Sequence, residues 1–494
     1  MALAKTELPD AAMQASPSPL NDQSPPLCVD LDGTLILSDT LHDATLAVAL
    51  ASWRELLHLP GWLAKGKAHL KQELAARWVL DAATLPYNSD VIRLLERERA
   101  RGRYIVLCTA ADIRIAKAVA QHLGLFDEVL ASDGTINLRG PAKAAALVRR
   151  FGQRGFTYVG NDMTDVAVWE KAASAIVVGN SRRVQRSTAR FDVEESIAGR
   201  EGTGRALVQA LRPYQWSKNA LCLVPVLASG SLDPLAWLAA LGALVAFCAT
   251  ASAIYVLNDL SDLAADRAHS RKSRRPFASG ALPVTWGLMM APILLLLGWV
   301  LGWASGTLPA LFAYTGLSLA YTLRLKELPL VDVFILAALY TLRVVAGGAA
   351  SGHAVSLWLL GFSAFLFLSL GLVKRVSELR RLQEMNQIRV ARRGYLVQDL
   401  SILQQLGCAS SFASVVVLSL YIQSDAVLHA YAFPEALWAT VPLLLFWQCR
   451  LWLATARGYM HDDPIVFAAR DMVSWLILVC LCVAALAART PLGV

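Results

Sequence analysis

The chain has 494 residues, of which 56% are hydrophobic and only 17% are charged. This balance is too apolar for an ordinary soluble protein of that length, so it excludes a wholly soluble enzyme. The net charge of +8 suits anionic lipid head groups and phosphorylated ligands, although the usual excess of cations in cytoplasmic loops accounts for it equally well. No feature points to nucleic acid. Eight cysteines without a C-x-x-C pair predict reduced, structural thiols.

The polarity of the chain changes near residue 210, and four segments are predicted. Residues 1–26 are rich in Ala, Ser and Pro and lack an apolar core, which predicts a disordered tail and no cleavable signal. Residues 27–200 are expected to form a soluble domain, residues 201–212 a linker, and residues 213–494 a membrane domain.

Three apolar segments of the soluble domain end in polar side chains. Leu27-Cys28-Val29 runs into Asp30 and Asp32, residues 104–109 end at Thr109, and residues 156–160 run into Asn161-Asp162-Met163-Thr164-Asp165. Strands that alternate with helical stretches predict an α/β fold with a doubly wound parallel sheet. Such sheets bind ligands at the carboxyl ends of their strands, where these polar residues lie.

With Lys143 between the second and third segments, these residues resemble, in order, the four motifs of the haloacid dehalogenase (HAD) phosphatase superfamily, over about residues 27–180. The resemblance implies that Asp30 is the nucleophile and that Asp32 protonates the leaving oxygen and then activates water. It also implies that Thr109 and Lys143 hold the phosphoryl oxygens. The expected Mg²⁺ ligands are Asp30, Asp32, Asp162 and Asp165.

Two points qualify this resemblance. The family usually has an acid directly after the glycine of its last motif, whereas Asn161 follows Gly160 here. Either Asp162 compensates or the metal binds more weakly. A degenerate regulatory module is the alternative, but the intact pair of Asp30 and Asp32 favours a phosphatase. Residues 36–100 are long enough to form a helical cap over the site.

Beyond residue 210, nine apolar runs have roughly the 20-residue length that crosses a bilayer. They lie at residues 217–232, 236–257, 283–303, 307–322, 331–350, 356–373, 403–422, 434–454 and 472–489. Lys and Arg occur in every second loop and are missing from the others, so the positive-inside rule predicts a cytoplasmic amino-terminal domain and an external carboxyl terminus. We therefore expect an all-α polytopic domain of nine transmembrane helices in a bacterial inner membrane.

The second apolar run ends in a cluster of aspartates beside the membrane. On a continuous helix, Asp259, Asp262 and Asp266 would share one face with Asn258. Carboxylates crowded in this way repel each other unless a cation binds between them. Mg²⁺ suits best, because it prefers carboxylate oxygens and shares its coordination with diphosphate.

This pattern, N-D-x-x-D-x-x-x-D, resembles the first aspartate-rich motif of the UbiA-type intramembrane prenyltransferase superfamily. Residues 212–219, 269–280 and 374–379 are similar to the branch that contains decaprenyl-phosphate phosphoribosyltransferase, with Ser270 where that branch commonly has proline. The resemblance implies that Asn258, Asp259, Asp262 and Asp266 hold Mg²⁺ and the diphosphate of phosphoribosyl pyrophosphate (PRPP). Asp259 and Asp262 are the expected catalytic pair.

Further substrate-binding residues follow from the same resemblance and from charges placed within or beside apolar runs. They are Lys218, Asn219, Lys272, Arg275, Tyr321, Lys326, Arg343, Lys374, Arg375 and Glu378. For Tyr321 and Lys326 the alternative is anchoring at the membrane surface, and for Arg343 it is a structural ion pair. The sequence His461-Asp462-Asp463-Pro464 fits either a cation site or a helix cap.

Together the two resemblances imply a bifunctional membrane enzyme. It would transfer 5-phosphoribose from PRPP to a polyprenyl phosphate, and the HAD domain would then remove the ribose 5-phosphate. Two alternatives stay open: an aromatic prenyltransferase that uses a prenyl diphosphate, and a membrane-anchored phosphatase whose lipid-binding domain is not catalytic. A role in cell-envelope biosynthesis follows from the resemblance alone. The sequence leaves the polyprenyl chain length and the oligomeric state open.

Overall fold

The computed structural model describes residues 24–179, 181–199, 202–385, 394–460 and 463–489. The chain divides into two compact units after residue 201. Most of the predicted disordered tail, residues 1–23, lies outside the described residues.

The first unit is built on a six-stranded sheet in which every neighbouring pair of strands is parallel. The strand order is β3-β2-β1-β4-β5-β6. The strands are β1 (Leu27–Val29), β2 (Ile105–Asp112), β3 (Glu128–Ser132), β4 (Thr157–Gly160), β5 (Ser174–Val178) and β6 (Val193–Ile197). β1 lies between β2 and β4, so the strand order reverses beside β1 and its carboxyl end faces the crevice where such sheets bind ligands.

Helices cover both faces of this sheet. Alternate residues of β1 and β2 enter two separate cores, one that contains Leu27 and Val29 and another that contains Cys28. The helices are α1 (Thr40–Ala51), α2 (Leu59–Ala64), α3 (Lys67–Arg77), α4 (Ser89–Ala100), α5 (Ile113–Leu123), α6 (Pro141–Phe151), α7 (Val166–Trp169) and α8 (Arg182–Thr188). The predicted doubly wound α/β fold is confirmed.

The helical cap is shorter than the predicted range of residues 36–100. Ala44, Val48, Trp62 and Leu74 of α1 to α3 form a small core of their own. α4 instead buries one apolar face in the core of the sheet, which its amphipathic sequence favours. The cap therefore consists of α1 to α3.

Every named secondary-structure element in the described residues of the second unit is a helix. Its helices are α9 (Thr203–Leu211), α10 (Val224–Ser229), α11 (Pro234–Ser261), α12 (Leu263–Ala268), α13 (Val284–Ala304), α14 (Leu308–Leu323), α15 (Val331–Ser351), α16 (Leu357–Glu384), α17 (Leu400–Ile422), α18 (Asp425–Ala430), α19 (Thr440–Ala456), α20 (Pro464–Arg470) and α21 (Met472–Ala487).

Within the described ranges, six helical segments are long and apolar enough to cross a membrane. They are α11, α13, α15 and α16, and also α17 and α19 together with the 3₁₀ turns that precede them, as Val397–Ile422 and Pro434–Ala456. A seventh span results if α20 and α21, which meet at an 85° bend, are counted as one. The predicted number of nine is not confirmed. The first predicted run, residues 217–232, is divided between a 3₁₀ helix (Pro213–Leu223) and the short α10, which begins with Val224 and Pro225. α14 has 16 residues, below the roughly 20 needed for a straight span.

Candidate functional site

In the α/β unit, two carboxylates lie just past the carboxyl end of β1. The backbone N–H of Leu31 donates to Oδ1 of Asp30 at 2.9 Å. Thr40 donates to Asp32 twice, from its backbone N–H at 2.7 Å and from its hydroxyl at 3.2 Å. Gly33 takes a φ of +73°, which favours glycine, and this lets the chain turn sharply after Asp32.

The environments of these two carboxyl groups raise the pKa of each above its ordinary value. Burial raises the pKa of Asp30 to about 6, against the opposing charge of Lys143. Burial, with repulsion from Asp39, raises the pKa of Asp32 to about 7. Both carboxyl groups therefore hold a proton more strongly than a free aspartate does, as the acid role of Asp32 requires.

A buried ammonium group joins the motifs of the α/β unit. Nζ of Lys143 lies 2.9 Å from Asp30 Oδ1 and 3.7 Å from Asp165 Oδ1, and it donates to the hydroxyl of Tyr158 at 2.7 Å. That hydroxyl donates in turn to Asp165 at 3.0 Å. Burial lowers the pKa of Lys143, but the negative charges of Asp30 and Asp165 raise it by more than burial lowers it. The net shift is upward, so the ammonium group stays charged.

The last motif uses its acids in two ways. Oδ2 of Asp165 accepts from the backbone N–H groups of Asn161 and Asp162, both at 3.1 Å. The carboxylate of Asp162 accepts from the backbone N–H of Met163 at 2.7 Å and so caps its own turn. Asn161 instead faces the turn after β1, where its Oδ1 accepts from the hydroxyl of Thr34 at 3.2 Å. Asn161 therefore lies against the turn after β1, whereas Asp162, a predicted Mg²⁺ ligand, caps its own turn.

Two more residues complete this region. Thr109 is fully buried, and its hydroxyl accepts from the backbone N–H of Ala111 at 3.0 Å. Lys71 of the cap, which sequence reasoning missed, donates to the carbonyl of Ala110 at 2.5 Å and to Asn137 at 3.1 Å. No motif marks Lys71, because it lies in a cap whose sequence carries no pattern of its own.

The helical unit contains a cavity of about 600 Å³, which is within the usual range for small-molecule sites. Its walls come from the 3₁₀ helix at Pro213–Leu223, α11, α12, α14, α15, α16 and the loops after α12 and α14. The predicted residues that line it are Lys218, Asn258, Asp262, Asp266, Lys272, Arg275, Tyr321, Lys326, Arg343, Lys374 and Glu378. Asn219, Asp259 and Arg375 lie behind this lining.

The aspartate cluster does not lie on a continuous helix. α11 ends at Ser261, and Asp262 stands at the break before α12, with φ of −96° and ψ of 10°. Asn258, Asp262 and Asp266 line the cavity, while Asp259 lies outside this lining. This differs from the predicted common face, although Asp259 and Asp266 remain close enough for Arg275 to contact both.

Each aspartate of this cluster has a cationic neighbour. Asp259 pairs with Arg212, and with Arg275 at 3.0 Å. Arg275 also pairs with Asp266 at 2.6 Å. Lys326 lies 3.9 Å from Asp262, and Lys272 lies 4.0 Å from Asp266. Across the described ranges, no group of three or more His, Cys, Asp or Glu side chains is arranged to hold a metal ion by itself.

Arg343 lies at a fully buried part of the cavity wall. Its Nε donates to Oδ1 of Asn219 at 2.8 Å, and its guanidinium also donates to the hydroxyl of Tyr314 at 3.1 Å and to the carbonyl of Leu339. The guanidinium carbon lies 4.7 Å from the ring centre of Tyr314. Asn219 thus orients Arg343, and its own side chain lies outside the cavity lining.

A second cationic group includes Lys218 and Lys374, which share one carboxylate. Oδ2 of Asp463 lies 2.6 Å from Nζ of Lys218 and 3.6 Å from Nζ of Lys374. The hydroxyl of Tyr340 lies 3.4 Å from both oxygens of Asp463. Asp463 also caps α20 by accepting from the backbone N–H of Ile465 at 3.2 Å. The predicted helix cap is present, while His461 and Asp462 lie outside the described residues.

Arg375 is 1% exposed and holds three elements together. Its guanidinium donates to Asp332 of α15 at 2.5 Å, to Tyr321 of α14 at 2.8 Å, and to Glu378 one turn along α16. The hydroxyl of Tyr395 donates to the other oxygen of Asp332 at 2.5 Å. Arg375, predicted to bind substrate, therefore supports the two wall residues Tyr321 and Glu378.

The cavity also has polar lining residues that sequence reasoning did not select. They are Arg212, Gln215, Tyr255, His269, Tyr314, Ser318, Thr322 and Tyr340. A signal for some of them was present, because Tyr314, Ser318 and Tyr321 recur at helical spacing along the otherwise apolar α14. A polar stripe on a membrane helix normally faces a cavity or a partner.

Comparison with known families matches two regions of the chain. The UbiA prenyltransferase family matches residues 220–456. The haloacid dehalogenase-like hydrolase family matches residues 27–170. The first region contains most of the cavity, and the second contains Asp30, Lys143 and Asp165.

Three relatives show how these regions combine. A protein of uncharacterized activity from Sinorhizobium fredii, y4nM, is 37% identical over 463 residues, covering 92% of this chain and 89% of its own length. Nodulation protein NoeC of Azorhizobium caulinodans is 37% identical over 277 residues, covering 55% of this chain and 89% of its own. Decaprenyl-phosphate phosphoribosyltransferase of Mycolicibacterium smegmatis is 34% identical over 281 residues, covering 54% of this chain and 87% of its own. The match to y4nM is long enough to include both regions.

Proposed function

Since the chain belongs to the UbiA prenyltransferase family and carries an amino-terminal haloacid dehalogenase-like hydrolase domain, we propose that it is a bifunctional enzyme of the bacterial inner membrane. The membrane domain transfers 5-phosphoribose from PRPP to a polyprenyl phosphate. The hydrolase domain removes the 5-phosphate and leaves polyprenyl phosphoryl ribose. A role in building a cell-envelope polysaccharide fits such a lipid-linked pentose.

The observation that carries the proposal is the charge distribution of the cavity. Asn258, Asp262 and Asp266 line one part of it, together with the cations Lys272, Arg275 and Lys326. Anionic and cationic side chains side by side fit a metal-bound diphosphate better than they fit an uncharged ligand. The similarity to decaprenyl-phosphate phosphoribosyltransferase favours PRPP as the source of that diphosphate.

Mg²⁺ fits the donors of both sites. In the membrane domain the donors are the amide and carboxylate oxygens of Asn258, Asp262 and Asp266, with the remaining coordination left to substrate oxygens and water. In the hydrolase domain the proposed donors at the β1 turn are Asp30 and Asn161. Bound Mg²⁺ would stabilise negative charge on phosphate oxygens as their bonds change.

In the transfer reaction, an oxygen of the polyprenyl phosphate forms a bond to ribose C1. The bond from C1 to the diphosphate oxygen breaks, and the diphosphate leaves with the electron pair. Lys272, Arg275 and Lys326 balance the charge on the leaving diphosphate. A separate set of cations is available for a phosphate group other than the leaving diphosphate. This set consists of Lys218, Lys374 and Arg343. The low exposure of Lys218 and Arg343 strengthens their interaction with phosphate.

In the hydrolytic reaction, an oxygen of Asp30 forms a bond to the 5-phosphorus while the bond from phosphorus to ribose O5 breaks. Asp32 gives its proton to O5. Water then attacks the aspartyl phosphate, Asp32 takes the proton of that water, and inorganic phosphate leaves. The charge of Lys143, held 2.9 Å from Asp30, balances the phosphoryl oxygens throughout.

The proposal includes the domain limits and topology expected from the sequence. The hydrolase occupies residues 27–200, the linker residues 201–212, and the membrane domain residues 213–494, with nine membrane segments in the native bilayer. The basic loops then lie in the cytoplasm with the hydrolase domain, and the carboxyl terminus lies outside. Both phosphorylated substrates are therefore met from the cytoplasmic side.

The test is to supply the purified full-length protein with Mg²⁺, PRPP and a polyprenyl phosphate and to resolve the lipid products by mass spectrometry. We expect polyprenyl phosphoryl ribose from the wild type and the 5-phosphorylated lipid from Asp30→Asn. Asp262→Asn should yield neither lipid. The control Asp233→Asn keeps an oxygen for the cap of α11 and should behave like the wild type.

Other outcomes would change the proposal. A wild type that ignores PRPP but transfers a prenyl group from a prenyl diphosphate to an aromatic acceptor would be an aromatic prenyltransferase. A wild type that hydrolyses phosphate esters, transfers nothing and is unaffected by Asp262→Asn would be a membrane-anchored phosphatase.

A further inference from the structure

Lys71 is a half-buried cation of the hydrolase cap that the proposed reaction does not use. It lies in the middle of α3, and its side chain reaches from the cap to the carboxyl edge of the sheet. Its Nζ donates to the carbonyl of Ala110, the residue directly after Thr109. The second hydrogen bond, to Asn137, reaches the loop that precedes Lys143. Lys71 thus enters the site from the side opposite the sheet.

The surroundings of Lys71 place it on the Asp32 side of the site. Lys71, Thr40 and Asp112 line one small cavity, and Thr40 is the residue that donates twice to Asp32. Burial lowers the pKa of Lys71, while the charges of Asp32 and Asp39 act in the opposite direction. Lys143, by contrast, contacts Asp30 and Asp165. The two lysines therefore serve different ends of the site.

The hydrogen bonds of Lys71 leave capacity for a ligand. An ammonium group has three N–H donors, and two of them go to Ala110 and Asn137. Both acceptors, the carbonyl of Ala110 and the side-chain oxygen of Asn137, are uncharged. An ammonium group that is partly withdrawn from water is stabilised most by an anion, so this position favours a negatively charged ligand atom.

We propose that Lys71 determines the specificity of the hydrolase domain by binding an anionic group on the alcohol side of the phosphate ester. Asp32 protonates the leaving oxygen, so the alcohol part of the substrate must lie toward Asp32 and hence toward Lys71. The substrates selected are phosphomonoesters whose alcohol carries a second anion. The inference rests on the proposed 5-phosphatase function, in which the ribose carries a phosphodiester at C1.

The test compares two soluble compounds with the full-length protein and Mg²⁺: ribose 5-phosphate and its 1-O-(methylphosphoryl) derivative, which carries the second anion. The wild type should prefer the derivative. Lys71→Gln should lower kcat/KM for the derivative by about tenfold, the size of one charge-assisted hydrogen bond, and should change kcat/KM for ribose 5-phosphate less than about twofold. Lys71→Arg, which keeps the charge, should retain the preference.

Lys67→Gln is the matched control, because Lys67 is an exposed lysine on the same helix, one turn earlier. It should leave both values unchanged. If Lys71→Gln lowers both values equally, Lys71 only fastens the cap and the inference is wrong while the 5-phosphatase stands. If the wild type hydrolyses neither compound, the 5-phosphatase proposal fails and the inference fails with it.

Discussion

Lys218 and Asp463 form an ion pair of 2.6 Å although 245 residues separate them in the sequence. The pair joins the first segment of the membrane domain to the start of α20, and both side chains are less than 10% exposed. Lys374 of α16 lies near the same carboxylate. The charge balance of one cavity wall therefore depends on three distant parts of the chain.

Asp463→Asn should destabilise the protein by about 3–5 kcal/mol, because it leaves buried lysine charge without a partner. The amide oxygen still accepts the N–H of Ile465, so the loss does not come from the helix cap. Thermal unfolding in detergent measures the change. The double variant Lys218→Met with Asp463→Asn should be more stable than Asp463→Asn alone; equal stability would show that the pair contributes nothing.

Arg375→Lys should lower the kcat/KM of transfer by about 10- to 100-fold, because a single ammonium group cannot hold Asp332, Tyr321 and Glu378 at once. Lipid products formed from PRPP measure this loss. Tyr395→Phe removes one hydrogen bond to Asp332 and leaves the guanidinium in place, so its effect should be smaller. A larger loss in Tyr395→Phe than in Arg375→Lys would contradict the supporting role of Arg375.

Thr40→Val should move the alkaline limit of phosphatase activity to higher pH. The acid role of Asp32 requires its proton, so activity falls as the pH rises through its pKa of about 7. The hydroxyl of Thr40 stabilises the ionised carboxylate, and its removal raises that pKa further. The pH dependence of kcat/KM for ribose 5-phosphate, whose alkoxide leaving group needs a proton, reports the shift. Thr45→Val is the control, since the hydroxyl of Thr45 donates to a backbone carbonyl on the same helix.

Asn161→Asp should lower the Mg²⁺ concentration that gives half-maximal phosphatase activity, because a carboxylate binds Mg²⁺ more strongly than an amide does. The new carboxylate can still accept the hydroxyl of Thr34. Asp162→Asn should leave the Mg²⁺ requirement unchanged, because the side chain of Asp162 caps its own turn. A strong effect of Asp162→Asn with none of Asn161→Asp would restore Asp162 as the metal ligand.

The α/β domain could be predicted closely because its signals are local. Each strand is a short apolar run that ends at a polar motif, and Asp30, Thr109 and Lys143 follow from that pattern. The extent of the cap was less predictable. The sequences of α1 to α4 all indicate helices, and only their packing shows that α4 belongs to the sheet and not to the cap. Lys71 escaped prediction because its partners are backbone and loop atoms remote in sequence.

The membrane domain shows where local signals are insufficient. The aspartate spacing indicated the cluster correctly, but it did not indicate that the helix breaks at Asp262 or that Asp259 lies outside the cavity lining. The charge of Arg375 suggested a ligand, and only the packing of α14, α15 and α16 shows that protein groups surround it. An apolar run that contains Pro225 does not reveal from composition alone that its helix is interrupted.

The double role of Asp463 limits how the membrane domain can be divided. The same carboxylate begins α20 and provides the counter-charge for Lys218 and Lys374. A chain that ended after α19 would keep every element that lines the cavity and lose this counter-charge. The membrane domain therefore cannot be cut after α19 without loss of this counter-charge, and a shortened chain has to extend past residue 463 to keep it.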